Sequence, residues 1–209
     1  ARRELVLLQQ GDPANREIWK TMIEISRGEF DSIYARLGVR FDHTLGESFY
    51  NDRLKPIVEE LTRSGLARES EGAMVAFFDD HPALKAHPAL IQKSDGAANY
   101  TTTDLATLIY RLETWNPRQI IYVTDGRQQL HFKQLFAIAS RWKPDCPVDL
   151  QHVWFGSILG EDGRPFRTRS GETVRLRDLL DEAEDRALKI VTEKNPGLED
   201  SDRREIARV

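Results

Sequence analysis

Apolar positions recur at helical spacing over much of this chain. Ile18, Met22, Ile25, Ile33 and Leu37 predict a long helix from about Asn15 to Leu37, with Gly38 as its C-terminal cap. A shorter helix is expected over residues 2–10, stopping at Gly11-Asp12-Pro13. Asn51 to Gly65 reads as another helix, with Pro56 complicating its first turns. Leu105, Leu108, Ile109 and Leu112 make one apolar helix face, and Leu130 to Trp142 continues the pattern. Leu176 to Lys194 reads as a charge-rich, solvent-exposed amphipathic helix. Strands are expected at Val39–Phe41, Met74–Phe78, Leu90–Lys93, Ile120–Val123 (a buried type) and Leu150–Phe155.

From Leu105 onward, strand and helix alternate, which predicts a parallel α/β sheet. Ligands of such sheets bind beyond the carboxyl ends of the strands. The loop 124–128 and the residues His152 to Gly156 therefore fall at the expected ligand edge. Composition changes this little: 209 residues, 40% hydrophobic and 31% charged, are ordinary for a globular chain. A net charge of −4 argues against a generally basic nucleic-acid coat, though not against a local basic patch. One cysteine, Cys146, excludes an intrachain disulfide and a cysteine-based zinc framework, and fits a reducing cytoplasm. No apolar run reaches the ~20 residues that span a bilayer. Histidines are scattered, so no metal site is expected. The chain starts at Ala1 without methionine, which suggests a piece of something longer.

Tyr100 and Asp104 carry the sharpest chemical suggestion. Residues at i and i+4 share a helix face, and a ring beside a carboxylate suits a planar cation such as guanidinium. The competing reading is a capping box over Thr101–Asp104, and both stand on spacing alone. Glu47, after Gly46, is either a second cation partner or an ordinary turn residue. Asp125-Gly126-Arg127-Gln128 opens a helix after a strand: Gln128 could bind an amino-acid end, or the segment could be a plain turn. His152 and Phe155 either border an adenine or belong to an aromatic core. Gly163 to Gly171 is a basic loop with Arg164, Arg167 and Arg169, suited to polyphosphate or simply a solvated hairpin.

Taken together, these segments resemble the arginyl-tRNA synthetase family of class I. The resemblance rests on Gly46-Glu47-Ser48-Phe49-Tyr50-Asn51, on Asp95-Gly96 through Tyr100-Thr101-Thr102-Thr103-Asp104-Leu105, and on Tyr122-Val123 with Asp125, Arg127-Gln128 and His131. It continues through His152 with Phe155-Gly156, then Asp162-Gly163 through Phe166-Arg167-Thr168-Arg169-Ser170-Gly171 into Leu179 to Ala183. It implies a Rossmann-type parallel sheet, partial here because its first strand–helix half is missing, with helical and small β insertions. It implies insertion helices over 1–46, an inserted α/β hairpin segment over 47–99, the second Rossmann half over 100–158, and the signature loop with a connecting helix over 159–209. The family attaches L-arginine to tRNA with ATP and Mg²⁺. By position, Glu47, Tyr100 and Asp104 would hold the guanidinium and Gln128 the amino-acid end. His152, Phe155 and Gly156 would border the adenosine, and Phe166 to Ser170 would be the KMSKS-like loop.

In that loop Arg167 and Arg169 would face the phosphates, and Thr168 would lie with Phe166 and Ser170 at ATP. Arg167 stands where the family often has lysine, and the two cations are not interchangeable at phosphate. No HIGH-type HxGH motif is present, and His43-Thr44-Leu45-Gly46 is only superficially similar. The expectation is therefore an internal piece of a cytoplasmic, monomeric enzyme, inactive alone. The alternative is a non-catalytic RNA-binding module derived from a synthetase.

Overall fold

The computed structural model describes residues 4, 7–8, 11–146, 148–156 and 175–208. The chain divides into two compact units, residues 1–43 with 166–209, and residues 44–165.

In the first unit, Glu4, Leu7 and Leu8 are helical. Helix α1 spans Pro13–Arg36. Asp12 caps it by accepting from the Asn15 N–H at 2.9 Å, and Pro13 sits in the first turn, where its missing N–H costs nothing. At its end Gly38 adopts φ +66°, and the N–H groups of Gly38 and Val39 bond back to Ala35 and Tyr34. This reverse turn requires the left-handed conformation that glycine adopts freely. The helix buries none of its residues: Ile18, Met22 and Ile25 are all exposed. Val39–Phe41 forms no strand among the described residues, correcting the expectation there. Helix α5 (Leu176–Lys194) has the expected bounds, and a further helix, α6 (Asp200–Ala207), follows. Arg36 joins α1 to α5 through Asp181 at 2.5 Å and Glu184 at 2.9 Å, and Arg177 reaches Glu29 at 2.8 Å.

In the second unit, a 3-10 turn over Glu47–Tyr50 leads into α2 (Asn51–Arg63). Pro56 lies inside α2 without ending it. The carbonyl it leaves unbonded, on Asp52, belongs to an exposed residue that water can serve. Ile57, Val58 and Leu61 form its buried face. An antiparallel sheet follows, with β1 (Arg68–Ser70), β2 (Ala73–Ala76) and β3 (Ala89–Gln92) in that order. Positive φ at both Glu71 and Gly72 makes the β1–β2 hairpin the tight form whose twist matches its strands.

Helix α3 (Tyr100–Trp115) is tied to β3: Thr102 donates to the Ile91 carbonyl at 2.5 Å and Asn99 to that of Leu90 at 3.1 Å. The expected capping box is not formed. Asn99 occupies the cap position and Asp104 lies beyond the first turn. Strand β4 (Gln119–Asp125), a 3-10 turn (Gly126–Gln128), α4 (Gln129–Trp142) and β5 (Asp149–Phe155) then form a β-α-β unit, with β4 and β5 parallel. The strand–helix alternation therefore gives the α/β fold expected, with both carboxyl ends together at Asp125 and Phe155. Leu61, Phe78, Leu84, Ile91, Leu105, Leu135 and Ile138 are core residues that join α2, β3, α3 and α4. Strand β4 is not buried on both faces as expected. Ile120 and Tyr122 point into the core, while Ile121 and Val123 are exposed, because α4 covers one face of the pair only.

Candidate active site

Helix α3 begins, and α4 begins, at the same end of the parallel pair. That end gathers Tyr100 and Asp104 from α3 with His131 from the first turn of α4. His131 Nε2 lies 2.6 Å from Asp104 Oδ2, and the Tyr100 and His131 rings meet edge-on at 4.8 Å. His131 is buried, Asp104 keeps 35% of its side chain exposed, and Tyr100 is exposed. The result is a partly exposed carboxyl group beside an exposed ring, both carried on α3.

Beneath it, Tyr122 from β4 is buried under Phe132, with Arg111 5.3 Å over its ring. Burial pushes the Tyr122 phenol up to about 12, and the nearby Asp104 charge works in the same direction against Arg111. The phenol is thus neutral.

Glu47 is exposed and makes no hydrogen bond or ion pair among the described residues. Its turn packs on α3 through Phe49 and Tyr50, whose rings lie 5.1 Å and 5.7 Å from Tyr110. Gln128 is exposed in the 3-10 turn that opens α4. Asp125 caps that turn, accepting from the Arg127 N–H at 2.8 Å and its guanidinium at 2.7 Å. The space that Gly126 leaves is used by β5: a Cβ there would stand 3.2 Å from Trp154 Cδ1.

His152 is held from the side. It stacks on Phe132 at 4.3 Å, and its Nε2 lies 2.8 Å from Thr124 Oγ1. Desolvation, with the proximity of His131, lowers its pKa from the ordinary 6.5, favouring the neutral ring. Phe155 and Gly156 are exposed at the carboxyl end of β5. Phe166, Arg167, Thr168, Arg169 and Ser170 lie outside the described residues. Among the described residues no group of three or more His, Cys, Asp or Glu side chains could hold a metal ion.

The structure therefore brings Tyr100 and Asp104 together, with His152 joined to the same cluster by a run of rings through His131 and Phe132. Sequence reasoning assigned no role to His131, Phe132 or Thr124. His131 was among the residues that carry the resemblance, though with no role attached; for Thr124 and Phe132 the signal was position alone, at the end of a strand and on the first turn of the next helix.

Residues 1–208 match the catalytic-domain family of class I tRNA synthetases (R). The chain belongs to the arginyl-tRNA synthetase family. It is 48% identical over 189 residues to an arginine–tRNA ligase of Rhodopirellula baltica, an alignment covering 90% of this chain and 27% of that protein. It is 50% identical over 191 residues to one from Nostoc sp., covering 90% and 32%. In structure it is similar to arginyl-tRNA synthetase from Plasmodium falciparum, with a TM-score of 0.79 and 28% identity over 98% of this chain and 34% of that one. The Thermus thermophilus arginyl-tRNA synthetase shares the fold at a TM-score of 0.66 and 23% identity, over 97% of this chain and 41% of that one. The chain spans about a third of the length of the curated relatives it matches. No described helix is long and apolar enough to cross a membrane.

Proposed function

We propose that this chain is the part of a longer enzyme that recognises L-arginine, and that the whole protein joins arginine to its tRNA at the expense of ATP. The observation that carries the reading is the Asp104 carboxylate, partly open beside the Tyr100 ring and fixed from behind by His131. A carboxylate and a ring on one helix face are complementary to a planar, permanently charged guanidinium. Glu47 adds a second carboxylate, and Gln128 takes the amino-acid end. His152, Phe155 and Gly156 border the adenosine. Phe166 to Ser170 close over the phosphates, where Arg167 and Arg169 offset developing charge.

In the reaction, an arginine carboxylate oxygen attacks the α-phosphorus of Mg²⁺-bound ATP. The bond to the β-phosphate oxygen breaks and pyrophosphate leaves. A ribose hydroxyl of the tRNA then attacks the arginyl carbonyl, and AMP departs. No covalent enzyme intermediate forms, so the protein contributes positioning and charge stabilisation. Residues 1–46 act as insertion helices, 47–99 as an inserted α/β hairpin segment, 100–158 as the second Rossmann half and 159–209 as the signature loop and connecting helix. The isolated chain lacks a HIGH-type motif and does not turn over. The whole protein works as a cytoplasmic monomer.

The test is charging of total tRNA with labelled arginine by the full-length protein, with lysine and citrulline as controls. Arginine alone should be charged. Citrulline, neutral but similar in shape, should be charged far less than arginine, because it gives the Asp104 carboxylate no cation to pair with. Asp104→Asn should cost at least ~2 kcal/mol in arginine use, the size of a lost charge-assisted pair. Absence of charging by folded protein would favour a non-catalytic RNA-binding module instead.

A further inference from the structure

We infer that His131 is the positioning residue of the cation site, holding both members of the Tyr100–Asp104 pair in place; the inference rests on the guanidinium reading above. A single imidazole touches both. Its Nε2 lies 2.6 Å from Asp104 Oδ2, and its ring meets that of Tyr100 at 4.8 Å with 71° between the planes. The ring itself is fixed by the core, being 8% exposed and packed 5.1 Å from Phe132.

The protonation pattern follows from the other nitrogen. His131 Nδ1 is buried with no hydrogen-bond partner among the described residues. A proton there would be a buried donor without an acceptor among the described residues, so the nitrogen that carries a proton toward a partner is Nε2. Nε2–H therefore donates, and Asp104 accepts as a carboxylate. The Nε2–H donor fixes the orientation of the carboxylate. One oxygen, Oδ2, is taken by the ring, and the Asp104 side chain keeps 35% of its surface exposed to an incoming cation. Residues at i and i+4 share a face but do not by themselves fix two rotamers. An imidazole inserted from another helix does.

The reach from His131 toward the second ligand is indirect. Phe132, its neighbour, stacks on His152, so the ring that borders ATP in the proposed function is held by the next residue of the same helix turn. A defect at His131 should therefore act on arginine and leave ATP alone. A general loosening of the α4 start would act on both.

The experiment uses the full-length protein with His131→Leu and His131→Gln, measuring KM for arginine, KM for ATP, kcat and thermal melting. Leucine removes the donor. Glutamine restores an N–H at the reach of Nε2. The Asp104–guanidinium contact is equal in ground and transition states, so its loss appears in KM. His131→Leu should raise the arginine KM by about 10- to 100-fold, the span of a lost hydrogen bond to a charged group. The ATP KM and kcat should stay within about threefold. His131→Gln should recover most of the arginine KM.

If the leucine variant does not fold, His131→Asn takes its place, since its shorter amide cannot reach Asp104; it should behave as leucine does while glutamine behaves as wild type. An unchanged arginine KM in the leucine variant overturns the inference. So does a parallel rise in both KM values, or a glutamine variant no better than leucine. A wild-type protein that charges no arginine rejects the function on which the inference rests, whatever the variants do.

Discussion

Thr124 Oγ1 and His152 Nε2 lie 2.8 Å apart across the parallel strands β4 and β5, Thr124 standing two residues along from Tyr122, the residue paired directly with His152. The contact, with Phe132 stacked on the imidazole, fixes the His152 ring at the carboxyl end of the sheet. Desolvation and His131 lower the pKa of His152 below 6.5. The unfolded chain therefore takes up a proton at His152 before the folded one does. Stability should fall as pH drops below about 6.5 toward the folded-state value, and the loss should be complete below it. His152→Gln keeps a hydrogen-bonding side chain but cannot titrate. Melting temperatures from pH 7.5 to 5.5 should decline less steeply in that variant than in wild type. Equal slopes would show that His152 is not the group titrating.

Tyr100 offers a ring to the proposed cation, and its hydroxyl has no hydrogen-bond partner among the described residues. If the ring is what matters, Tyr100→Phe should leave the arginine KM within about threefold, while Tyr100→Leu should raise it about 3- to 30-fold, the range of a cation–π contact. Steady-state charging with arginine as the varied substrate distinguishes the two. A phenylalanine variant as impaired as leucine would transfer the role from the ring to the hydroxyl.

The elements with long periodic patterns were legible from sequence, as Leu176–Lys194 and the α3 face of Leu105 and Leu108 show. Arg68–Ser70 was not, because a polar three-residue edge strand has no alternation and is created by the hairpin turn at Glu71-Gly72. Asp200–Ala207 was missed for a similar reason: eight residues mostly charged carry little apolar period. Val39–Phe41 had strand-forming residues but no partner strand among the described residues, and propensity without pairing does not make a strand. At the site, spacing put Tyr100 and Asp104 on one face. It could not announce His131, 27 residues away from Asp104, since only the packing of α4 against α3 brings them within hydrogen-bond distance. Glu47 shows the converse, a residue singled out by resemblance that is tied to no other site residue among those described.

Glu60 links α2 to the end of α4. Its Oε1 accepts from the Trp142 indole at 2.7 Å and from Lys143 at 3.0 Å. Burial alone would raise its pKa, but those two hydrogen bonds more than offset it and hold the carboxyl below the ordinary 4.5. Stability from this group is present above about 4.5 and is lost as pH falls through the lowered value. Glu60→Leu should destabilise by about 1–3 kcal/mol, because the buried Trp142 N–H loses its acceptor. Glu60→Gln, which keeps an oxygen acceptor, should lose less. Chemical denaturation of the three proteins checks the order, and a leucine variant as stable as glutamine would mean that the indole finds another acceptor.

Ile121, Val123, Val153 and Phe155 share the uncovered face of the β4–β5 pair, each at least half exposed. Parallel strands are almost always covered on both sides, since the helices that cross between them pack on the faces. Four large apolar side chains half in water also forgo part of the roughly 1.5–3 kcal/mol that full burial of each would contribute. The relatives of this chain are about three times its length, and if this chain is part of a longer enzyme, as proposed, the added sequence would supply the missing layer. Val123→Lys should therefore be nearly neutral in this chain alone, where the lysine reaches water. In the full-length protein it should destabilise by several kcal/mol, the size expected when a charge replaces a packed apolar group. Comparing denaturant midpoints of the same substitution in the two lengths makes the measurement. Equal, small effects in both would leave the face open in the whole enzyme, and the α/β layer would end at this sheet.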